Sequence, residues 1–461
     1  MTAVVILFVA VQGYLAYGVL EQQEDDLVDD VVRAETRRLA GRLSSGEVRS
    51  SAFDPTYRLA PNMVAWLVAS PGSSVSDLPR DLQQLSDGEH VLHPAHRVAR
   101  TDTTGQGATM PIDLVCDESA LLRLEPEWES LLGDAVHPSI FMTFDYQYAG
   151  WKAFHRDDSE PYVIVARDAE GTVIGIAPFR RYSDPGWARW RRLGYLNAFE
   201  IDRPAPIVRA GHEAAFWRIL ADFLEGAGRA WDLVRLPEMP REMVEGAREA
   251  FVPGRQTFTA NPDSSAIGID LHAPWTAFMA NHRNLRKYFR QVERRVPNLD
   301  VDLYDDPSRV GEGFDLYAEV ESRSWKAGKV GVTKDADHAT FYRDVLQRLA
   351  ERKRVAVRIL TLGGRPVAGD ITYTLGRRVF FHHKTYDQAH ADWSPGNFLT
   401  FRLFNDYMGI GYDSGDFLCG FAEYMRPWCS LEWHTENVTI TRNSLRMRLS
   451  RFIEKYKERT S

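Results

Sequence analysis

Three cysteines, Cys116, Cys419 and Cys429, are all that a chain of 461 residues contains. An odd count without Cys-x-x-Cys spacing gives neither a disulfide framework nor a zinc site, and a reducing compartment is the simplest setting. The motif classes that announce common chemistries are missing as well. There is no Gly-Lys-Ser/Thr phosphate loop, no His-Glu-x-x-His, no Gly-x-Ser-x-Gly and no Gly-x-Gly-x-x-Gly. Nucleotide hydrolysis, zinc proteolysis, serine hydrolysis and dinucleotide redox chemistry lose their usual signatures with them. An excess of positive charge is also lacking. Against 64 acidic residues stand 56 basic ones, a net charge of −8, and a nucleic-acid partner for the whole chain is not expected.

What is present begins with residues 3–20, which carry no charge and are just long enough to cross a bilayer. No second segment of this kind follows. Arg33, Arg37, Arg38 and Arg42 come after it and no cation precedes it, so the positive-inside rule puts the body of the protein in the cytoplasm. A signal peptide is the alternative, though its basic start is missing. Residues 1–20 are thus read as a single-pass anchor on the cytoplasmic side of the cell membrane, with a plainly cytoplasmic protein as the other possibility. Residues 21–110 form a helical extension and linker, with Leu27, Val31, Ala34, Leu39 and Leu43 at helical spacing. The acidic entry Glu21-Gln22-Gln23-Glu24-Asp25 and this helix resemble the membrane-proximal segment of bacterial sensor histidine kinases, without any of the kinase chemistry.

From residue 111 the chain reads as two similar units, 111–260 and 261–445. In the first, 112–115 is a strand, 121–132 a helix, 161–166 and 171–182 strands, 216–226 a helix and 231–236 a buried strand. In the second, 355–362, 367–375 and 379–385 are strands separated by turns such as Gly363-Gly364-Arg365-Pro366. A helix at 398–408 and a closing strand at 415–418 follow. Between the units, Leu285, Phe289, Val292 and Val296 make an apolar stripe on a helix capped by Asn281 and stopped by Pro297. Its other face holds Arg283, Arg286, Lys287, Arg290, Arg294 and Arg295. That row is either a solvated face or a dock for phosphates, an acidic substrate or a membrane surface. Residues 187–192, which mix tryptophan with arginine, suggest an edge strand or hairpin tip. Residues 446–461 read as a basic amphipathic helix that packs on the body or lies on an acidic membrane.

The stretch richest in chemistry runs from His383 to Tyr424. Ser394-Pro395-Gly396-Asn397-Phe398 opens a helix beside the carboxyl end of a strand, with Ser394 as cap and Pro395 in the first turn. Such an end offers free N–H groups and a positive dipole, which suits the pyrophosphate of a coenzyme A thioester.

These segments together resemble the GNAT superfamily, in particular the acetyltransferases of the CelD/BcsL (BioF2-like) type and the related FemAB peptidyltransferases, which pair two GNAT-like units. The resemblance covers about residues 112–445. Its markers are Gly175-Ile176-Ala177-Pro178-Phe179, the 231–237 strand, the basic helix, Ser324-Trp325-Lys326, the run from His383, and Asp416 to Tyr424. It implies an α+β fold of tandem GNAT-like domains, each with a mixed, mostly antiparallel sheet flanked by helices. It also implies acyl transfer from acyl-CoA to an amine or hydroxyl, with no metal. Trp393, Ser394, Pro395, Gly396, Asn397 and Phe398 would hold the cofactor, Asn397 and Phe398 supplying amides. The Gln/Arg-x-x-Gly-x-Gly/Ala signature common in that superfamily is absent, and Met425 stands where relatives carry a lysine.

For general acid and base the candidates are His383, Asp416, Glu423 and Tyr424, with His382 and Asp370 on neighbouring strands. Strand alternation predicts that only one of His382 and His383 faces the cleft. Trp325, Lys326, Lys384, Tyr386 and Asp387 are the candidate substrate contacts. The expected activity is acyl-CoA-dependent N- or O-acyl transfer to a small molecule or a glycan or cell-envelope precursor. Aminoacyl-tRNA-dependent peptidyl transfer and a catalytically degenerate binding module are the alternatives.

Overall fold

A computed structural model describes residues 112–155, 159–183, 190–227, 230–251, 256–419 and 423–443, the side chains of 423, 424 and 427 excepted. The anchor, the 21–110 extension and the C-terminal basic helix lie outside the described residues. Among those described, no helix is long and apolar enough to cross a membrane.

The architecture is a large mixed sheet of thirteen strands flanked by helices. β1 (Ile112–Val115), β2 (Ser159–Arg167) and β3 (Val173–Ser183) form an antiparallel meander. The buried, β-branched run of β2 fits a strand covered on both faces. Helix α1 (Glu118–Gly133), capped by Asp117 on Ala120 N, buries Leu121, Leu124, Trp128, Leu131 and Leu132. Helix α2 (Phe144–Phe154) is buried from Phe144 to Trp151. β4 (Arg191–Tyr195) is an interior strand lying between β3 and β6 (Leu233–Pro240), so Arg191 and Arg192 are not on an edge strand, while 187–189 lie outside the described residues. Arg191 is held there by Asp232. The short β5 (Ile207–Val208) pairs with β3. Helices α3 (Glu213–Gly226) and α4 (Arg241–Ala250) complete the first half.

In the second half, α5 (Trp275–Asn281) precedes α6 (Arg283–Arg295), so Asn281 ends one helix and His282 caps the next. β8 (Leu299–Tyr304), α7 (Val310–Ser322) and α8 (Ala336–Glu351) lead into an antiparallel meander. Its strands are β9 (Val355–Leu362), β10 (Arg365–Leu375) and β11 (Arg378–Tyr386). Helix α9 (Pro395–Tyr407) then crosses to β12 (Ser414–Cys419), which runs parallel to β11.

The halves exchange their last strands. β7 (Gln256–Asp270) follows β6 in the chain yet lies beside β12, while β13 (Leu431–Arg442) follows β12 yet lies beside β6. β7 and β13 pair with each other from Gly268↔Leu431 to Gln256↔Arg442. The sheet order β1-β2-β3-β4-β6-β13-β7-β12-β11-β10-β9-β8 therefore reads the same way from either edge. One core fills the first half. In the second, α2, α7 and α8 cover one face, and α5, α6 and α9 the other.

Candidate active site

β11 and β12 pair for only three residues, Arg378↔Ser414, Val379↔Gly415 and Phe380↔Asp416. Beyond them β11 continues to Tyr386 with no partner strand on that side among the described residues, which leaves a wedge at the carboxyl ends of both strands. The register of β10 against β11 slips at the same point. Ile371 faces His383 and Thr372 faces Phe381, so His382 is an extra residue in the ladder. A bulge of this kind cancels strand alternation for one residue. Both imidazoles therefore turn to the α8 side, with ring centroids 4.1 Å apart, where alternation had allowed only one of them to face the cleft.

The two rings meet a cluster of polar groups. The Tyr342 hydroxyl on α8 lies 2.6 Å from His383 Nε2, 3.2 Å from His382 Nε2 and 3.0 Å from Glu200 Oε2, to which it donates. Glu200 comes from the first half, after β4, and sits at φ 52°, a left-handed conformation that costs a non-glycine residue. Tyr146 on α2 donates to its carbonyl, and Lys334 Nζ donates to its Oε1 at 3.1 Å. His338 Nε2 stands 3.4 Å from the same oxygen, with Nδ1 2.7 Å from Asp335.

Burial lowers the pKa of His383, against the opposing pull of Glu200, and lowers that of His382 further. Both rings are neutral near pH 7. Burial would raise the Glu200 carboxyl, but His383, Lys334 and His382 outweigh it and hold the group well below the carboxylate range. Burial lifts Tyr342 well above its usual value, so it stays a neutral bridge. His383 Nδ1 has no partner among the described residues. The arrangement is an imidazole with one nitrogen fixed by a hydroxyl and the other open, the form a general base takes.

At the wedge, Ser394 adopts φ 53°, ψ 61°, and its side chain makes no capping bond, in contrast to the cap its sequence position suggests. The Asn397 and Phe398 amides, expected to face a phosphate, both donate to the Ser394 carbonyl, at 3.0 and 3.1 Å. Gly396 supplies the N–H that remains, because Pro395 has none. Gly396 is buried, and a Cβ there would stand 3.3 Å from Tyr386 Cδ1, so the start of α9 packs close against that ring. The Tyr288 hydroxyl on α6 donates to the Trp393 and Ser394 carbonyls, 3.0 Å from each. Trp393 and Phe398 meet edge to face.

The other residues singled out by sequence fall into several places. Asp416 is fully buried and paired with Arg203 of the first half, and it also accepts from Leu418 N at 2.9 Å. It is a tie between the halves and has no open side. Asp387 caps the turn at Ala389 and takes Arg323 at 2.7 Å. Lys384 Nζ reaches Thr400 Oγ1 at 3.5 Å and Met425 Sδ at 3.8 Å on the α9 side, and Lys326 Nζ donates to the Lys384 carbonyl at 2.9 Å. Trp325 is exposed. Asp370 is buried between Lys384 and Arg358 in register, its pKa raised to about 7 by burial against the pull of those cations. The side chains of Glu423 and Tyr424 lie outside the described residues.

Glu200, Tyr342, Tyr146, Lys334 and His338 escaped the sequence. The Glu200–Tyr342 bond spans 142 residues, and no local pattern marks either end. Asp202, Glu238 and Cys419 also gather, with ligand-type atoms within 4.8 Å. Asp202 is committed there to Arg203 at 2.8 Å and to the Cys419 amide at 2.7 Å, which makes the cluster part of the seam.

Residues 280–426 match the acetyltransferase (GNAT) domain family. They run from the start of α6 through the wedge. Among solved structures, FemX superposes with a TM-score of 0.51 at 10% identity, over 72% of this chain and 98% of that one. A tandem GNAT protein from the clavulanic acid biosynthesis pathway gives 0.36 at 8%, over 71% and 98%. The C-terminal domain of a putative lysylphosphatidylglycerol synthetase from Agrobacterium fabrum gives 0.44 at 11%, over 70% and 92%. A comparison with curated protein sequences gave no match. The fold is shared with FemX, and residues 280–426 match the acetyltransferase (GNAT) domain family.

Proposed function

We propose that the protein is an acyl-CoA-dependent N- or O-acyltransferase whose acceptor is an amino sugar or a polysaccharide or cell-envelope precursor. We further propose that it works at the cytoplasmic side of the cell membrane, anchored by residues 3–20. The observation that carries the transferase reading is the position of His383. It stands on β11 just beyond the point where β11 and β12 part, with Nε2 held by Tyr342 and no partner on Nδ1 among the described residues.

The acyl-CoA fits what the residues offer. The Gly396 N–H and the α9 dipole would receive the pyrophosphate, and the wedge would receive the thioester arm. The thioester supplies the activated acyl carbon, and the protein's own groups handle the proton. His383 Nδ1 removes it from the acceptor N–H or O–H as the new C–N or C–O bond forms and the C–S bond breaks. His383 then carries one extra proton, which is available to the departing thiolate. Tyr342 fixes the ring, and the Glu200 carboxylate offsets the imidazolium charge while it lasts.

The test is a thermal shift of the full chain with acetyl-CoA, longer acyl-CoAs and free coenzyme A in parallel. A ligand at a hundred times its Kd stabilises by about 2.7 kcal/mol, enough to see. A shift that depends on acyl length identifies the donor, and thiol release then screens acceptors. Absence of any shift at millimolar ligand overturns the proposal and favours aminoacyl transfer or a binding role.

A further inference from the structure

Helix α6 carries six cations, Arg283, Arg286, Lys287, Arg290, Arg294 and Arg295, against the single carboxylate Glu293. All but Arg286 are exposed, and none has an ion-pair, hydrogen-bond or ring partner among the described residues. Several arginines elsewhere in this half are spent on acids: Arg323 on Glu319 and Asp387, Arg348 on Asp344, Arg377 on Asp413. In a chain of net charge −8 this ridge is a local reversal of sign.

Its geometry is as specific as its charge. At about 100° per residue, Arg283, Arg286, Lys287, Arg290 and Arg294 fall within an arc of about 100° and along roughly 16 Å of helix. Leu285, Phe289 and Val292 on the opposite side are buried, Phe289 stacking on Phe398 at 4.8 Å, so the charged arc is locked outward. A single phosphate group would need two or three cations converging on one point. These five are strung out in line on a convex surface, which fits a flat layer of separate anionic headgroups. The same helix grips the loop before α9 through Tyr288. Whatever lies against α6 is therefore next to the start of α9.

We infer that α6 is an electrostatic docking strip for an anionic lipid surface, which brings the wedge to the headgroup layer and so to a lipid-linked acceptor. The lipid-linked acceptor rests on the acyltransferase proposal; the docking strip does not. Cations held at such a surface each strengthen partitioning about fivefold, and the attraction fades within a Debye length as salt is raised.

Partitioning of the full chain is measured on vesicles of phosphatidylcholine alone and of phosphatidylcholine with phosphatidylglycerol. The Lys287→Gln/Arg290→Gln/Arg294→Gln variant is compared with the wild type. Both carry the same first 110 residues, so any contribution of the apolar segment cancels. The anionic preference should fall about a hundredfold in the variant, and the wild-type preference should vanish at high salt. A fluorophore on Gln291→Cys reads the same event locally, its emission shifting on anionic vesicles only. An anionic preference equal in the two proteins, or an unresponsive label at position 291, overturns the docking strip. So does transfer RNA that displaces the wild type from vesicles and binds the variant far more weakly, which would give the row to nucleic acid. Acyl-CoA thermal shifts are untouched by any of these outcomes, so failure of the strip and failure of the acyltransferase reading are told apart.

Discussion

Replacing Asp416 by asparagine separates two roles that its sequence position allows, general base and structural tie. Its side chain is 0% exposed and that of Arg203 5%, and the guanidinium is also held by Asp202 at 2.8 Å and faced by the Trp433 ring at 5.2 Å. Breaking a buried pair by removing one partner costs about 3–5 kcal/mol, because the remaining charge stays buried. Asp416→Asn leaves Arg203 with Asp202 as its remaining carboxylate partner among the described residues, so a loss near the lower end, about 3 kcal/mol, is expected. Arg203→Met should cost more, since it strands two carboxylates at once. Its penalty should also grow with pH. Burial already raises the Asp202 pKa and Arg203 pulls it down, so without the arginine it rises further. A carboxyl raised above its unfolded value stabilises the fold at low pH and loses that contribution as pH climbs through the folded pKa. Urea unfolding at pH 5 and pH 8 measures both effects, and the Arg203→Met/Asp416→Asn double variant closes a cycle in which the two losses must not add. A stability of Asp416→Asn within about 0.5 kcal/mol of wild type, with acyl transfer abolished, would refute the tie and restore the carboxylate to catalysis.

Gly396→Val should remove the acyl-CoA thermal shift and also lower stability, because its γ carbons press on Tyr386; a normal shift would move the phosphate site elsewhere. His383→Gln should cut turnover by about 10²–10⁴-fold with cofactor binding intact, as expected for loss of a general base. Because burial depresses the His383 pKa, the acid limb of the wild-type rate profile should fall below the usual histidine range, and an inflection above it would exclude this ring. Glu200→Gln should lower the His383 titration midpoint, read by NMR from the ring carbon, since the carboxylate is among the groups that raise it. An upward movement would mean that Glu200 does not act on His383.

Much of the sheet was legible because its signals are local. β1 and β9 fall on the boundaries that alternation suggested, and the β9–β10 turn is marked by Gly363 and Gly364, both at positive φ. The bulge at His382 was not legible, since an extra residue in a ladder shows only when the partner strand is laid beside it. Asp416 misled for a related reason. A buried carboxylate beside a glycine looks the same in sequence whether it is a base or a tie, and its arginine stands 213 residues away. Ser394-Pro395-Gly396 correctly announced a helix start but not its left-handed first residue, which turns two expected amides back onto the chain.

The strand exchange explains why the candidate base depends on both halves. With β13 lodged beside β6 and β7 beside β12, neither half closes its own sheet, and the loop after β4 is carried to the mouth of the second wedge. Along that loop Glu200 and Arg203 both take positive φ, and they reach His383 and Asp416 on adjacent strands of the other half. Non-glycine residues in this region cost about 1–2 kcal/mol each and persist only where surrounding contacts over-determine them. Here those contacts are Tyr146 on the Glu200 carbonyl, Lys334 and Tyr342 on its carboxylate, and two aspartates on Arg203. A glycine at 200 would relieve the backbone and lose the carboxylate, whereas glutamine keeps the strain and the shape. The strained conformation holds a carboxylate from the first half 3.7 Å from the imidazole on β11.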